Sequence, residues 1–361
     1  MVSSATSVLA WGTALLVAVS TTACTSFGNS PPSISESDPE SSAWELVGQL
    51  PLPLESHQTI VLDDIVYLLG GWNDTRGPYA EVFFAPLTPA EMLDDWQPAS
   101  ASLPLRLQHH VTVVHNGALY VIGGDTGFFE GSTVTDRIWR AVPTTTGDIT
   151  EWIEVGQSPV PLTIHAVTLV DNQLYVIGGN QTFQPGTTMG DAVFTATIAD
   201  DGTVGTFESL MAFPTEIGWL TAIAMDQIII GISGRTQFSP MQLVDTVWRA
   251  EVQPERSLSS FMPVSTVTPR QRHTSVLVDR TIVVIAGGGS EQVLTAVEAT
   301  DIDEQGDLTD WRSLSPLPAP RYAHAAFTHA GDIYVSGGFV RYGSNETSAD
   351  IFRLSQSDWD L

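Results

Sequence analysis

The chain has 361 residues, 43% of them hydrophobic, and a net charge of −27. Its 14 basic residues are all Arg, and Lys is absent. So acidic a chain is not expected to bind nucleic acid or an anionic membrane surface directly, because both need a basic patch.

Residues 1–23 carry no charged side chain, and 8–19 is an apolar run broken by a single Thr. That run is shorter than the roughly 18 residues of a spanning helix, so it reads as a secretory signal. Thr21, Thr22, Ala23 and Cys24 then resemble the lipobox of bacterial-type lipoproteins. Thr21 stands where Leu is usual, and no Lys or Arg precedes the apolar core. Cys24 is the only cysteine, and the Ser- and Pro-rich residues that follow it read as a tether. The expected layout is a signal peptide over 1–23, a lipidated Cys24 with a flexible tether over 24–42, and a folded domain over 43–361. The protein is expected to be exported to the cell envelope and to touch membrane only through its lipid.

The folded part is organised by a repeat. Residues 118–124, ALYVIGG, are a short apolar strand ending in a glycine pair. Copies lie at 65–71, 173–179, 282–288 and 332–338, with a degenerate one at 228–234. Each follows a large aromatic at a nearly fixed distance: Trp44 to Gly70, Trp152 to Gly178, Phe207 to Ser233, Phe261 to Gly287 and Trp311 to Gly337 are each 26 residues, and Trp96 to Gly123 is 27. Within each unit four short β-rich runs are separated by turn residues. A period of about 50 residues with four strands per unit indicates radially packed blades, since one such sheet cannot bury both its faces alone. The sixth unit ends after its third strand, near 351–354, and an unpaired strand precedes the first unit at 44–47. The N-terminal strand is therefore expected to close the last blade and leave no open edge.

The glycine pairs, the spaced Trp residues and the Arg-x-x-His openings (Arg106/His109, Arg270/His273, Arg321/His324) resemble Kelch repeats. The resemblance runs from about residue 43 to 361 and implies an all-β, six-bladed Kelch-type β-propeller. The unit at 228–234 departs from it, with Ser233 in place of a glycine and no opening His.

In such a blade the loops between strands two and three share a face with the segments that connect blades. That face is expected to gather Trp72, Arg76, Phe129, Phe183, Arg235, Phe238, Arg341 and Tyr342 from the loops. The connecting segments add Arg106, His109, His165, Arg270, His273, Arg321 and His324. Aromatic platforms beside Arg and His suit a sugar, an acidic sugar or a protein partner. The opposite face is acidic; residues 301–307 have the Asp, Asp and Gly spacing of a calcium loop, but Arg312 stands where the bidentate Glu belongs. No metal and no cofactor are expected, and a Tyr–Cys copper centre is excluded because the propeller has no Cys.

The resulting expectation is an exported, lipid-anchored propeller that acts as a scaffold for a protein or glycan. The alternative is a sugar mutarotase resembling the exported six-bladed sialic-acid mutarotases, with acid and base drawn from Glu55, Glu130, Glu216, Glu291 or Glu346. A deep cavity where a carboxylate meets an Arg favours the enzyme; a broad aromatic rim favours the scaffold.

Overall fold

The computed structural model describes residues 42–87, 93, 95–127, 132–182 and 188–359. The signal segment, Cys24 and the tether lie outside the described residues, as do Phe129, Glu130 and Phe183.

Six four-stranded antiparallel sheets form a β-propeller. Their innermost strands are Gln58–Leu62, Val111–His115, Ala166–Val170, Thr221–Met225, Thr274–Val278 and Ala325–His329. The second strands are the repeat itself. In the second blade all five residues of Ala118–Ile122 are buried. Such a strand is apolar on both faces because a neighbouring blade covers each of them, so the half-buried alternation of an open sheet is absent. Among the described residues, six of the apolar clusters lie one at each joint between blades. Leu119 and Val121 pack towards the first blade, whereas Ala118, Tyr120 and Ile122 pack towards the third.

The ring closes as the sequence predicts. Strand Glu45–Gln49 pairs antiparallel with Asp350–Leu354, in the register Glu45 to Arg353 and Gln49 to Asp350. Trp44, just ahead of that strand, is buried in the joint between blades five and six and donates from Nε1 to the Ser315 carbonyl at 2.9 Å. The other spaced aromatics also stand immediately before the outer strands. Trp96 reaches the Gln49 carbonyl at 3.0 Å and Trp311 the Ser265 hydroxyl at 2.9 Å, so each pins its rim to the preceding blade.

Two details differ from the sequence reading. In the fifth blade the turn pair is Ala286 and Gly287, one residue earlier than expected. Their φ values of 47° and 104° match those of Gly123 and Gly124 at 62° and 102°. In blades four and five the ladder resumes after this turn, so strands Ile228–Gln237 and Gln242–Glu251 continue through what reads as a loop at 235–246. Strands Thr281–Gly288 and Val293–Asp301 do the same in the fifth blade. Residues 301–307 form a hairpin turn in which the Asp303 carboxylate accepts from the Gln305 and Asp307 backbone amides at 2.9 and 2.8 Å.

Candidate functional site

The connecting segments and the second-to-third loops do share a face. Isolated bridges link Glu55 with Trp72, Gln108 with Asp125, Thr163 with Asn180, Gly218 with Arg235, Gln271 with Gly288 and Tyr322 with Phe339. The six connecting segments share one conformation. The second residue of each turn pair donates its amide to the segment of the next blade, as Gly71 does to the Leu107 carbonyl and Gly124 to the Leu162 carbonyl, both at 2.8 Å. Two residues further on comes a left-handed residue: Ser56, His109, Ile164, Trp219, Arg272 and Ala323 all have φ between 49° and 55°. None is Gly, so each stores roughly 1–3 kcal/mol of backbone strain, the kind of outlier that clusters at ligand sites.

The next residue is His57, His110, His165, Leu220, His273 or His324. These histidines are clasps between blades. A Cβ on Gly124 would lie 2.9 Å from His110 Cβ, and one on Gly70, in the preceding blade, 2.9 Å from the His110 ring. At these two positions any Cβ would crowd the His110 side chain, and glycine keeps its seat open. His273, His324 and His57 also bond through Nε2 to Thr221, Thr274 and Ser336 of the preceding blade at 3.1, 2.9 and 3.1 Å. Burial pushes His57, His110 and His324 down to about 3, His165 to about 4, and His273 well below its usual value. They are neutral wall residues.

Arg270 and Arg321 also belong to the walls. Their positions are filled by Leu54, Leu107, Leu162 and Ile217 in the other blades. The fully buried Arg270 bonds the Thr268 and Ala286 carbonyls at 2.9 Å and pairs with Glu298. Arg321 bonds Ser348 and Asp350 at 3.1 Å. The second blade's true counterpart of these Arg/His pairs is Leu107/His110, so Arg106 and His109 sit one residue out of register with the motif. Arg106 is exposed on the rim. Arg76 pairs there with Glu81, and Arg341 with Glu346 at 3.2 Å.

The six connecting segments surround a cavity of about 240 Å³ at the mouth of the central channel. Five of them bring chemistry together in or beside it. Glu55 is buried, with its Oε2 4.0 Å from Arg272 Nη1 and accepting from the Ser56 hydroxyl. Burial raises the Glu55 carboxyl above its usual value, against the opposing pull of Arg272. The Arg272 guanidinium lies 4.6 Å from the Trp219 ring centre and 5.9 Å from that of Tyr322, and makes no hydrogen bond among the described residues. Arg235 approaches Trp219 at 5.2 Å, Phe238 packs edge-on against it at 5.3 Å, and Arg235 donates to Gln271 Oε1 at 3.0 Å. From the second blade, His109 binds the buried Asp125 through Nδ1 at 2.8 Å, and its ring centre lies 6.2 Å from that of Trp219. Burial alone would raise Asp125, but His109, Thr163 and Gln108 hold it below the usual carboxylate range. Trp72 and Tyr342 extend the wall on the other side through Phe339 and Tyr322, at 6.0 and 5.1 Å.

Of the expected residues, His109, His165, His273 and His324 line the cavity, and Arg235 and Phe238 pack against its Trp219, with Trp72 and Tyr342 further out. The structure adds Trp219 and Arg272 to the lining and Asp125 behind His109, which the motifs do not single out. Glu216, Glu291 and Glu346 are exposed; Glu55 alone of the described candidate acids is buried, next to the cavity-lining Ser56 and 4.0 Å from Arg272. Among the described residues no cluster of His, Cys, Asp and Glu could hold a metal.

No family model matches the chain. It is similar to the Kelch-like protein terF of Aspergillus terreus, at 22% identity over 322 residues, covering 82% of this chain and 63% of that protein. It is also similar to human Kelch-like protein 23, at 29% identity over 126 residues, 35% of this chain and 21% of that one. The chain thus spans less than two thirds of the length of these curated relatives. Among solved structures, that of YjhT superposes with a TM-score of 0.67 at 13% identity, covering 84% of this chain and 95% of the other. That likeness is one of fold.

Proposed function

We propose that this six-bladed Kelch-repeat β-propeller binds a small anionic sugar at the mouth of its central channel and transfers protons on it, as a mutarotase does. The observation that carries this reading is a buried carboxyl, Glu55, 4.0 Å from the guanidinium of Arg272, which lines the cavity and makes no hydrogen bond among the described residues. Two Arg residues, Arg272 and Arg235, lie against Trp219 at this site on a strongly acidic protein, and their charge favours an anion there. Arg272 offers paired donors to a carboxylate, and Trp219 gives an apolar surface for the sugar.

Ring opening then needs one acid and one base. Glu55 gives its proton to the ring oxygen as the bond from that oxygen to the anomeric carbon breaks. His109, oriented by Asp125, takes the anomeric hydroxyl proton as the carbonyl forms. Closure on either face of the carbonyl reverses both transfers and returns both groups to their starting states, so the cycle consumes nothing. Anomer-exchange NMR on a panel of acidic and neutral sugars tests this. Exchange of an acidic sugar should exceed the buffer rate, and Glu55→Gln should slow it about 10²–10⁴-fold. Exchange no faster than buffer across the panel sinks the enzyme reading.

The exposed Arg76, Arg106 and Arg341 around the same face favour a second reading, a scaffold for a protein or glycan, which a glycan array run beside the NMR assay would reveal. Export and anchoring are inferred from the uncharged leader and Cys24. Labelled palmitate should enter the wild-type chain and not Cys24→Ala; equal incorporation by both refutes the anchor.

A further inference from the structure

We propose that the ligand's own anion loads the acid: when Arg272 engages the anion, Glu55 takes up one proton from solvent. The inference rests on the anionic-sugar reading and concerns how that site becomes competent.

The geometry carries it. At 4.0 Å, Glu55 and Arg272 are within Coulombic reach but beyond a direct hydrogen bond. Arg272 is the cation that favours an ionised Glu55 most strongly, and its donors are uncommitted among the described residues. A ligand carboxylate that takes two of those donors changes Glu55 in two ways. It neutralises the cation, and it sets a second negative charge within a few ångströms, where like charges resist joint ionisation.

The other groups facing Glu55 do not offset this. Its own blade supplies the Ser56 hydroxyl and a main-chain pairing with Trp72 at 2.9 and 2.8 Å. The second blade supplies His109 and Asp125, already bound to each other. The sixth blade supplies Tyr322, whose phenol burial keeps protonated. The fourth supplies Arg235, which lies across Trp219 and is spent on Gln271 and on the carbonyls of Gln237 and Phe238.

The sign follows from linkage. Whatever raises the proton affinity of Glu55 on binding must itself bind more tightly as pH falls. One proton is the limit, so affinity rises by at most about tenfold per pH unit where Glu55 titrates.

Calorimetric titration of the propeller with glucuronate and with N-acetylneuraminate tests this between pH 5.5 and 8, in two buffers of different ionisation enthalpy, with glucose as the neutral control. The expected result is proton uptake approaching one per carboxylate bound, and affinity that climbs as pH falls. Glu55→Gln should bind the same carboxylates with no uptake and a flat pH profile. Ser56→Ala, which removes a donor to the ionised carboxylate, should move the wild-type profile to higher pH and secures the test if Glu55→Gln does not fold. Carboxylate binding without uptake, at constant affinity, overturns the inference and leaves the anion site standing. Binding of glucose alone, or of no probe, removes the anion site and the inference with it.

Discussion

Arg270 shows how a residue type that signals binding can be absorbed by the fold. Its guanidinium has no exposed surface, and it sits where four other blades place Leu or Ile. Removing one partner of such a pair leaves the other charge stranded, whereas replacing both with apolar groups removes the problem. Arg270→Leu should therefore destabilise by about 3 kcal/mol, and Arg270→Leu with Glu298→Leu should recover a large part of that loss. Urea unfolding of both variants measures it; a double variant no better than the single one would show that the pair is not coupled. The same position explains what the motif hides. The doublet His109–His110 offers two histidines to one Arg-x-x-His pattern, and only the seat of His110 over Gly124 and Gly70 shows which is the clasp. Once that register is set, the residue before each clasp emerges as the cavity lining. Its six occupants, Ser, His, Ile, Trp, Arg and Ala, share a backbone conformation and no chemistry, so no sequence pattern marks Trp219 or Arg272.

Blade four is the element in which the repeat and the site part company. It has Leu220 instead of a clasp histidine and Ser233 instead of the first glycine, and it is the blade that supplies Trp219, Arg235 and Phe238. Ser233 keeps the left-handed turn by donating to the Val244 and Arg270 carbonyls at 2.6 and 2.9 Å. The ladder then continues to Gln237 and Gln242, which carries the tip of the hairpin to Gln271 of the fifth blade. Blade number, strand order, the closing strand and the shared face were all legible, because each follows from spacing and alternation. The hairpin extension was not, because a glycine turn that ends a strand and one that merely bends it look alike in sequence. Ala286 shows the same ambiguity: three glycines follow it, and only φ reveals which two residues turn.

The whole molecule is a ring of six joints closed by hydrogen bonds between Glu45–Gln49 and Asp350–Leu354. Its only cysteine precedes the propeller, so no disulfide within the ring supports that closure. Each joint has its own apolar core, and five of the six carry a buried neutral histidine. This makes ring stability depend on acid. A histidine whose folded value lies below its unfolded one, near 6.5, contributes stability above that pH and loses it as pH falls towards the folded value. For His57, His110 and His324 the window runs from 6.5 to about 3, and for His165 to about 4. Each costs about 1.4 kcal/mol per pH unit across it. Glu55, raised by burial, works in the opposite sense: it favours the fold at low pH and loses that contribution as pH rises, but it is one group against five. Far-UV circular dichroism combined with urea titration from pH 8 to 4 should show stability falling steeply from about pH 6.5. Replacing one clasp by the residue that blade four already uses, as in His324→Leu, should reduce the slope between pH 6 and 5 by about 1.4 kcal/mol per unit, whatever it does to stability at pH 8. An unchanged slope would mean that the ring opens in acid through its carboxylates and that the clasps do not sense pH.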